Sequence, residues 1–469
     1  MSLTVLTDVD VKTLLGHLTL SDVDILQDSL RKALHEFSTG TQEKDACADH
    51  QPERTVLQSP NGTTTLFMPS TSASGIGMKV VTLVSPASSA SSPSSVPPAA
   101  AGDGSVRGAL TIMSKIGKPI GFVNAEEITA FRTALASSLL LRRRCRLKTL
   151  TVFGTGKQAF WHIRLALLLR GSTIKTVNII SRSFSDRTRN MVKTFHATDP
   201  AIKMQEGWSG TAFGILTPAY GEYGRLIKEQ LRAADAIICT VPSTIPLFDH
   251  TILTSHEGRR KGRLIIAIGS YKPHMIEVPT ELLQQAVKSP NEHRHFHKHA
   301  MEGGVVVVDT LTGCLAEAGE IIQSSLSPLQ LVEVGELVML EGQVASEAEP
   351  ESDLPDLDVA KIKLEAGSSG SSLASVFKDD SNGKSVSRKS SFSRISPRSS
   401  RTSHAESHTR SVSMDGRKGV RKEDAMSRWL GEGNVIYKSV GMGLMDLVVG
   451  GDLLNLAVSK GIGTTIPQF

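Results

Sequence analysis

Thr149-Leu-Thr-Val-Phe-Gly-Thr-Gly-Lys-Gln-Ala-Phe160 decides how this chain folds: an apolar strand runs into a G-x-G-x-x-A turn, and an amphipathic helix follows. Gly154 permits the tight turn, Gly156 lets the backbone approach a pyrophosphate with no Cβ in the way, and Ala159 keeps the helix close to the sheet. Free amides at the helix start face the phosphates. The helix carries apolar Phe160, Ile163, Leu167 and Leu168, and a second strand, Thr176-Val-Asn-Ile-Ile180, follows at βαβ spacing. The expectation is a dinucleotide-binding domain of the Rossmann type, with Gly154, Thr155, Gly156, Gln158 and Ala159 against the cofactor.

The residues closing the second strand select the cofactor. An NAD site usually places Asp or Glu there to hold the ribose 2′-hydroxyl, whereas a 2′-phosphate is met by Arg and small hydroxyl side chains. This chain reads Ser181-Arg182-Ser183. No carboxylate stands there to repel the phosphate, and Arg182 offers a charge-assisted contact. NADP(H) is therefore expected in preference to NAD(H), the competing reading being a solvated loop arginine.

Length and composition bound the rest. A chain of 469 residues holds two or three domains, so a second domain accompanies the nucleotide domain. The four cysteines, Cys47, Cys145, Cys239 and Cys314, are widely separated and form no C-x-x-C, which suggests neither a disulfide framework nor a zinc site. The first thirty residues lack a basic start followed by an apolar run, and no long apolar stretch of membrane-spanning length occurs. A soluble, cytoplasmic protein that contacts no membrane is expected.

Two segments read as inserts. Residues 85–105 are almost entirely Ser, Pro, Ala and Gly, and Gly367 to Asp424 is Ser-rich, basic and nearly free of aromatics. Neither buries enough apolar surface to offset chain entropy, so both are expected to be disordered. Lys384 to Lys422 carries eleven Lys or Arg against two acids, an excess of nine; the whole chain carries +5, which leaves about −4 for the remainder. The folded part thus has no basic surplus for nucleic acid. Arg388-Lys-Ser-Ser391, Arg410-Ser-Val-Ser413 and Ser396-Pro397 mark the 384–422 segment as a candidate kinase target. Order returns at Asn434 to Val449, which reads as a strand entering a helix through a glycine-containing turn, with helical pattern to Val458.

Further motifs follow in a set order: Gln51-Pro-Glu-Arg54, Met68-Pro69, Gly77-Met-Lys79, Gly117-Lys-Pro-Ile120, Ile128-Thr-Ala-Phe-Arg-Thr133, Ala234-Asp-Ala-Ile-Ile-Cys-Thr240, Ile268-Gly269 with Pro273 and Glu277, Glu317-Ala-Gly319 and Lys438-Ser-Val-Gly441. With Gly154 to Ala159 in its place, this order resembles the ornithine cyclodeaminase and mu-crystallin family over nearly the whole chain apart from the inserts. The resemblance implies an α/β fold. In it a Rossmann domain (131–345) is set between an N-terminal segment (1–130, with the 85–105 insert) and a C-terminal segment (426–469), after a Ser/Arg-rich insert (346–425). The two outer segments together would form a substrate and dimerisation domain, and the protein would be a homodimer.

Family substrates are amino acids or cyclic imino acids, whose carboxylate needs cationic donors in a pocket where water no longer screens it. Arg54, Lys79 and Arg132 match the family positions that serve this end. Lys79 lies in an apolar run where an unpaired lysine is costly. For the two arginines the bland reading is surface exposure. Thr133 matches a position near the cofactor phosphates, and Thr240 and Ser243 lie in a loop at the carboxyl end of a strand, where open α/β sheets place ligands.

One departure bears on the chemistry. Cyclodeaminases carry Asp where Tyr271 stands and Lys where Met275 stands, and that Asp is the family's acid/base for eliminating ammonia. A phenol with a reference pKa near 10 is a poor base at neutral pH. Mu-crystallin-like imine reductases also lack the Asp. Lys79 and Tyr271 are the candidate catalytic residues, with Tyr271 either a proton donor or a filler of space.

Three functions are therefore in view. The leading one is an NADP(H)-dependent oxidoreductase reducing a cyclic ketimine or an imino or amino acid with a free carboxylate. The alternatives are a cyclodeaminase-like ammonia lyase with bound NAD(P), and a non-catalytic, nucleotide-dependent small-molecule binding protein like mu-crystallin. His293-Arg-His-Phe-His-Lys-His299 alternates histidines as a metal-binding strand would, but its setting reads as an exposed loop and no metal is assigned. Asp309 and Glu317 read as either polar site residues or caps, and Trp208 to Tyr223 as an extended loop.

Overall fold

The computed structural model describes residues 2–40, 51–60, 63–84, 106–288, 303–340 and 426–469. The segments expected to be disordered, 85–105 and 346–425, lie outside the described residues, as do the 384–422 kinase-target segment and the His293–His299 cluster. Among the described residues no helix is long and apolar enough to cross a membrane.

The N-terminal segment starts with β1 (Leu3–Leu6), α1 (Asp8–Gly16) and α2 (Leu20–Thr39). Capping boxes start both helices: Thr7 with Asp10, and Thr19 with Asp22, each satisfying amides that have no partner within the helix. β2 (Thr55–Gln58), β3 (Thr63–Ser72), β4 (Gly75–Val84), β5 (Val106–Met113) and β6 (Pro119–Asn124) then form an antiparallel meander. β1 joins it parallel to β6. Along β4 the side chains alternate, so Gly77, Lys79 and Val81 share the inward face while Ile76 is exposed. α3 (Ala125–Leu141), capped by Asn124, follows directly and is buried almost all round, as a helix sandwiched between two layers must be.

The second layer begins with β7 (Thr149–Phe153), α4 (Lys157–Arg170), β8 (Thr176–Ile180), α5 (Asp186–Ala197), α6 (Pro200–Gln205), β9 (Ala212–Leu216), α7 (Tyr223–Ala233) and β10 (Ala236–Cys239). It continues through α8 (Thr251–Thr254), β11 (Leu264–Ala267), α9 (Thr280–Ala286), β12 (Val305–Val308), α10 (Leu311–Glu317), α11 (Gly319–Ser324), β13 (Leu331–Glu333) and α12 (Val334–Leu337). After helical residues 426–432 come β14 (Val435–Lys438), α13 (Gly443–Ser459) and β15 (Thr464–Ile466).

Two sheets result. One runs β15-β1-β6-β5-β4-β3-β2; the other, parallel throughout, runs β13-β12-β14-β11-β10-β7-β8-β9. The order β9-β8-β7-β10-β11 is the doubly wound arrangement expected of a dinucleotide fold, with its switch point beside β7. Every residue of β10, β11, β12 and β14 is buried, which explains their unbroken apolar sequences: helices cover both faces of a parallel sheet.

The C-terminal segment divides in a way the sequence reading missed. That reading gave residues 426–469 wholly to the substrate domain, yet β14 inserts between β11 and β12 of the parallel sheet. Val435-Ile-Tyr-Lys438 is apolar enough to be covered on both faces, and only the middle of such a sheet offers that. α13 and β15 do go to the N-terminal sheet, β15 pairing with β1. α13 lies so close to the strands that a Cβ at Gly450 would stand 2.4 Å from Leu110 Cδ2, and one at Gly121 2.6 Å from Leu454 Cδ2. The expected boundary near residue 130 also cuts through α3, whose Phe131 belongs to a core shared by both layers with Leu30, Leu150 and Leu453. Trp208 to Tyr223 is not simply a loop: it contains the edge strand β9 and ends in the first residue of α7, while Trp208 is buried.

Candidate functional site

The G-x-G-x-x-A turn has the geometry its chemistry requires. Gly154 adopts φ +110°, closed to other residues without strain, and a Cβ there would stand 2.5 Å from Thr240 Oγ1. Thr240, just past β10, donates to the Phe153 carbonyl at 2.8 Å and so braces the turn. Gly156 is the N-cap of α4, with no side chain capping the helix, and a Cβ on it would meet nothing within 4 Å. Open space therefore lies over uncapped amides, a setting that suits a pyrophosphate. Ala159 is fully buried against the sheet, and Thr155 and Gln158 are half-buried beside it.

At the end of β8, Ser181 Oγ donates to the Ser183 carbonyl at 2.9 Å, and Arg182 is exposed with no ion pair among the described residues. Ser243 Oγ donates to the Ile245 carbonyl at 2.6 Å, which orders the loop after β10. Thr133 is buried on α3 and donates to the Thr129 carbonyl. The same helix reaches the nucleotide turn through Glu126 and Glu127, whose carboxylates hold Lys157 Nζ at 2.7 and 2.8 Å.

The three cations expected around a substrate carboxylate come together, and each faces a carboxylate of this chain. Lys79 Nζ meets Asp446 Oδ2 at 2.6 Å, and Arg132 Nε meets Asp446 Oδ1 at 3.1 Å. Arg54 Nε donates to Glu317 Oε1 at 2.6 Å, and its Nη1 lies 3.5 Å from the Val440 carbonyl. Both arginines thus border residues 440–441, immediately beyond β14: a Cβ on Gly441, which adopts φ +83°, would stand 2.7 Å from Arg132 Nη2. The cluster sits at the carboxyl edge of the parallel sheet, the edge that carries Gly154 and Thr240, and ligands bind outside that edge in open α/β sheets. Burial, with Arg132 and Arg54 nearby, lowers Lys79 to about 8 despite the pull of Asp446.

Asp446 was not singled out in the sequence. A lone carboxylate inside the apolar stretch Gly443-Leu-Met-Asp-Leu-Val-Val-Gly450 was the signal available. Of the two carboxylates left open, Glu317 is the partner of Arg54. Asp309 orders the loop: its Oδ2 accepts from Ser439 Oγ and the amides of Val440 and Gly441, the last at 2.6 Å.

A second buried cluster stands behind the loops after β10 and β11. Glu277 accepts from the Val241 and Gly269 amides, both at 2.6 Å, and from the Ser270 amide at 3.1 Å, which ties the two loops together. Lys438, at the end of β14, donates to Ser270 and pairs with Glu320 at 3.3 Å. Burial pushes the Glu277 carboxyl up to about 7 against Lys438 and the Val241 and Gly269 amides, with Glu320 adding to the rise. Tyr271 follows Ser270; burial raises its phenol above the ordinary value, and its hydroxyl makes no hydrogen bond to another described residue. Lys272 Nζ lies 5.9 Å from the centre of its ring.

A parallel sheet of this order, with a glycine turn open at its carboxyl edge, defines a protein of the dinucleotide-binding class. No family model matches the chain. An uncharacterised protein of Saccharomyces cerevisiae is 31% identical over 252 residues, half of this chain and 63% of that protein. A Δ1-pyrroline-2-carboxylate reductase of Bacillus cereus is 24% identical over 276 residues, 58% of this chain and 68% of that one. An uncharacterised cyclodeaminase of Dictyostelium discoideum is 30% identical over 159 residues, 32% of this chain and 41% of that protein. The chain thus spans from 41% to 68% of the length of these relatives.

Among solved structures, an archaeal alanine dehydrogenase dimer with bound NAD superposes with a TM-score of 0.59 at 15% identity, over the whole of both chains. Thermococcus litoralis Δ1-pyrroline-2-carboxylate reductase, solved with NADH and L-proline, gives 0.58 at 16% identity, covering 99% of this chain and all of that one. These neighbours share the fold. The names of the sequence relatives agree with the resemblance of the ordered motifs to the ornithine cyclodeaminase and mu-crystallin family.

Proposed function

We propose that the chain is an NADP(H)-dependent oxidoreductase that reduces a cyclic ketimine or imino acid bearing a free carboxylate. The observation that carries this reading is the meeting of Arg54, Lys79 and Arg132 at the carboxyl edge of the sheet that bears the open Gly154–Gly156 turn. The named Bacillus relative and the Thermococcus neighbour, both Δ1-pyrroline-2-carboxylate reductases, support the substrate class.

Gly154, Gly156 and the first amides of α4 would hold the pyrophosphate, Thr133, Thr240 and Ser243 would line its approach, and Ser181, Arg182 and Ser183 would take the 2′-phosphate. When bound, the nicotinamide supplies the hydride for the C=N carbon. Arg54, Lys79 and Arg132 hold the substrate carboxylate. Tyr271, protonated at neutral pH because burial raises its phenol, is the candidate donor of a proton to the substrate nitrogen. The same property makes it unfit as the base that cyclodeamination requires.

We further propose a homodimer. β2 is exposed along its whole length at the edge of the N-terminal sheet, with Val56 and Leu57 presented to solvent, and one structural neighbour is a dimer. The enzymatic reading is tested by incubating the protein with NADPH and Δ1-pyrroline-2-carboxylate while following the nicotinamide absorbance. Loss of absorbance matched by formation of proline supports it. No loss, with tight binding of both ligands, would favour a binding protein.

A further inference from the structure

Charge balance in the cationic cluster bears on which substrates it admits, given the oxidoreductase reading above. Arg54, Lys79 and Arg132 supply three positive charges. Asp446 bridges Lys79 and Arg132, Glu317 pairs with Arg54, and Asp309 lies within electrostatic reach of Arg54 while its oxygens bind the 439–441 loop. Three carboxylates therefore answer three cations. Asp446 has no exposed surface and sits in the first turn of α13, so it has no route into solvent when a substrate enters.

We propose that Asp446 is a specificity-determining residue: it holds the site near neutrality, so the site takes a substrate whose single carboxylate is balanced by its own positive charge, and turns away dicarboxylates. The matching substrate is a cyclic iminium carboxylate, already protonated on nitrogen. The hydride step then balances without a further proton, and a proton from Tyr271 goes only to the amine nitrogen that this step leaves. The hydride of NADPH forms the new C–H bond, the C=N π electrons become the nitrogen lone pair, and a neutral secondary amine results. In a buried, weakly screened site an added negative charge beside Asp446 is repelled strongly.

The test uses the full-length protein with NADPH and compares binding of L-proline with cis-pyrrolidine-2,5-dicarboxylate, by competition against imine reduction, in the parent and in Asp446→Asn. The parent should prefer proline by about tenfold or more, and Asp446→Asn should shrink or reverse that preference by a similar factor. The same variant should lose activity at lower pH than the parent, because Asp446 raises the pKa of Lys79. A purely structural role for Asp446 would not move that limb. An unchanged ligand ratio in folded Asp446→Asn, or a parent that binds the dicarboxylate as tightly as proline, overturns the proposal. Should the variant not fold, the parent's ratio alone decides. A parent that reduces no imine and binds neither ligand overturns the oxidoreductase reading itself, a result distinct from an unchanged ratio.

Discussion

Lys79 Nζ and Asp446 Oδ2 meet at 2.6 Å across 367 positions of sequence, with 2% and 0% of their side chains exposed. β4 of the N-terminal sheet supplies the cation and α13 of the C-terminal segment the carboxylate, so the pair exists only when the two ends of the chain have folded together. Breaking such a pair from one side leaves a buried charge unanswered, at a cost of about 3–5 kcal/mol.

Carboxylate binding should be lost as pH rises through about 8, because Lys79 is charged below that value and neutral above it. Lys79→Ala should lower kcat/KM for Δ1-piperideine-2-carboxylate by about one to three powers of ten and remove this limb of the pH profile. NADPH affinity, read by nicotinamide fluorescence, should stay the same. A variant that keeps the alkaline limb would assign it to another group.

The two turn glycines should fail differently. Gly154→Ala places a Cβ 2.5 Å from Thr240 Oγ1 at φ +110°, so it should lower the melting temperature as well as abolish nucleotide binding. In Gly156→Ala the Cβ enters open space over the uncapped end of α4, so the fold should melt normally while NADPH affinity falls. Normal NADPH affinity in Gly156→Ala would remove the pyrophosphate from that space.

The local part of this design was legible in the sequence. Strand, turn and helix from Thr149 to Arg170 follow from neighbouring residues, and burial on both faces leaves its mark in Ala236-Ile-Ile-Cys239 and Val305-Val-Val-Val308. Arg54, Lys79 and Arg132 were found through resemblance, and the structure brings them together. What escaped is non-local. The seat of β14 between β11 and β12 depends on pairing with strands far back in the chain. Asp446 reads as one of two acids on a largely apolar helix until β4 and α3 are laid against it. β9 was hidden by its weak pattern, since Ala212-Phe-Gly-Ile-Leu216 is an edge strand with one fully buried residue.

Arg182 should set cofactor choice. The protein should bind NADPH more tightly than NADH, and Arg182→Ala should erase the difference, since a charged hydrogen bond contributes about 1.5–3 kcal/mol. Equal affinities in the parent, measured by fluorescence titration, would sink this assignment.

Glu277 should be needed to order the loops after β10 and β11. Both of its oxygens accept from backbone amides, so Glu277→Gln sets an NH2 group against an N–H donor at one of them. A loss of about 1–3 kcal/mol in chemical denaturation is expected, with a raised KM for NADPH. Unchanged stability would mean the two loops are held by other contacts.

The most direct measurement of the central claim follows a deuterium label. The protein is incubated with NADPH deuterated at the transferred position and Δ1-pyrroline-2-carboxylate, the proline is analysed by mass spectrometry, and a parallel sample receives ornithine and is assayed for ammonia. The account predicts deuterium on the α-carbon of proline in step with NADPH consumed, and no more than trace ammonia from ornithine. Ammonia released efficiently from ornithine, with NADPH unconsumed and proline unlabelled, would contradict it.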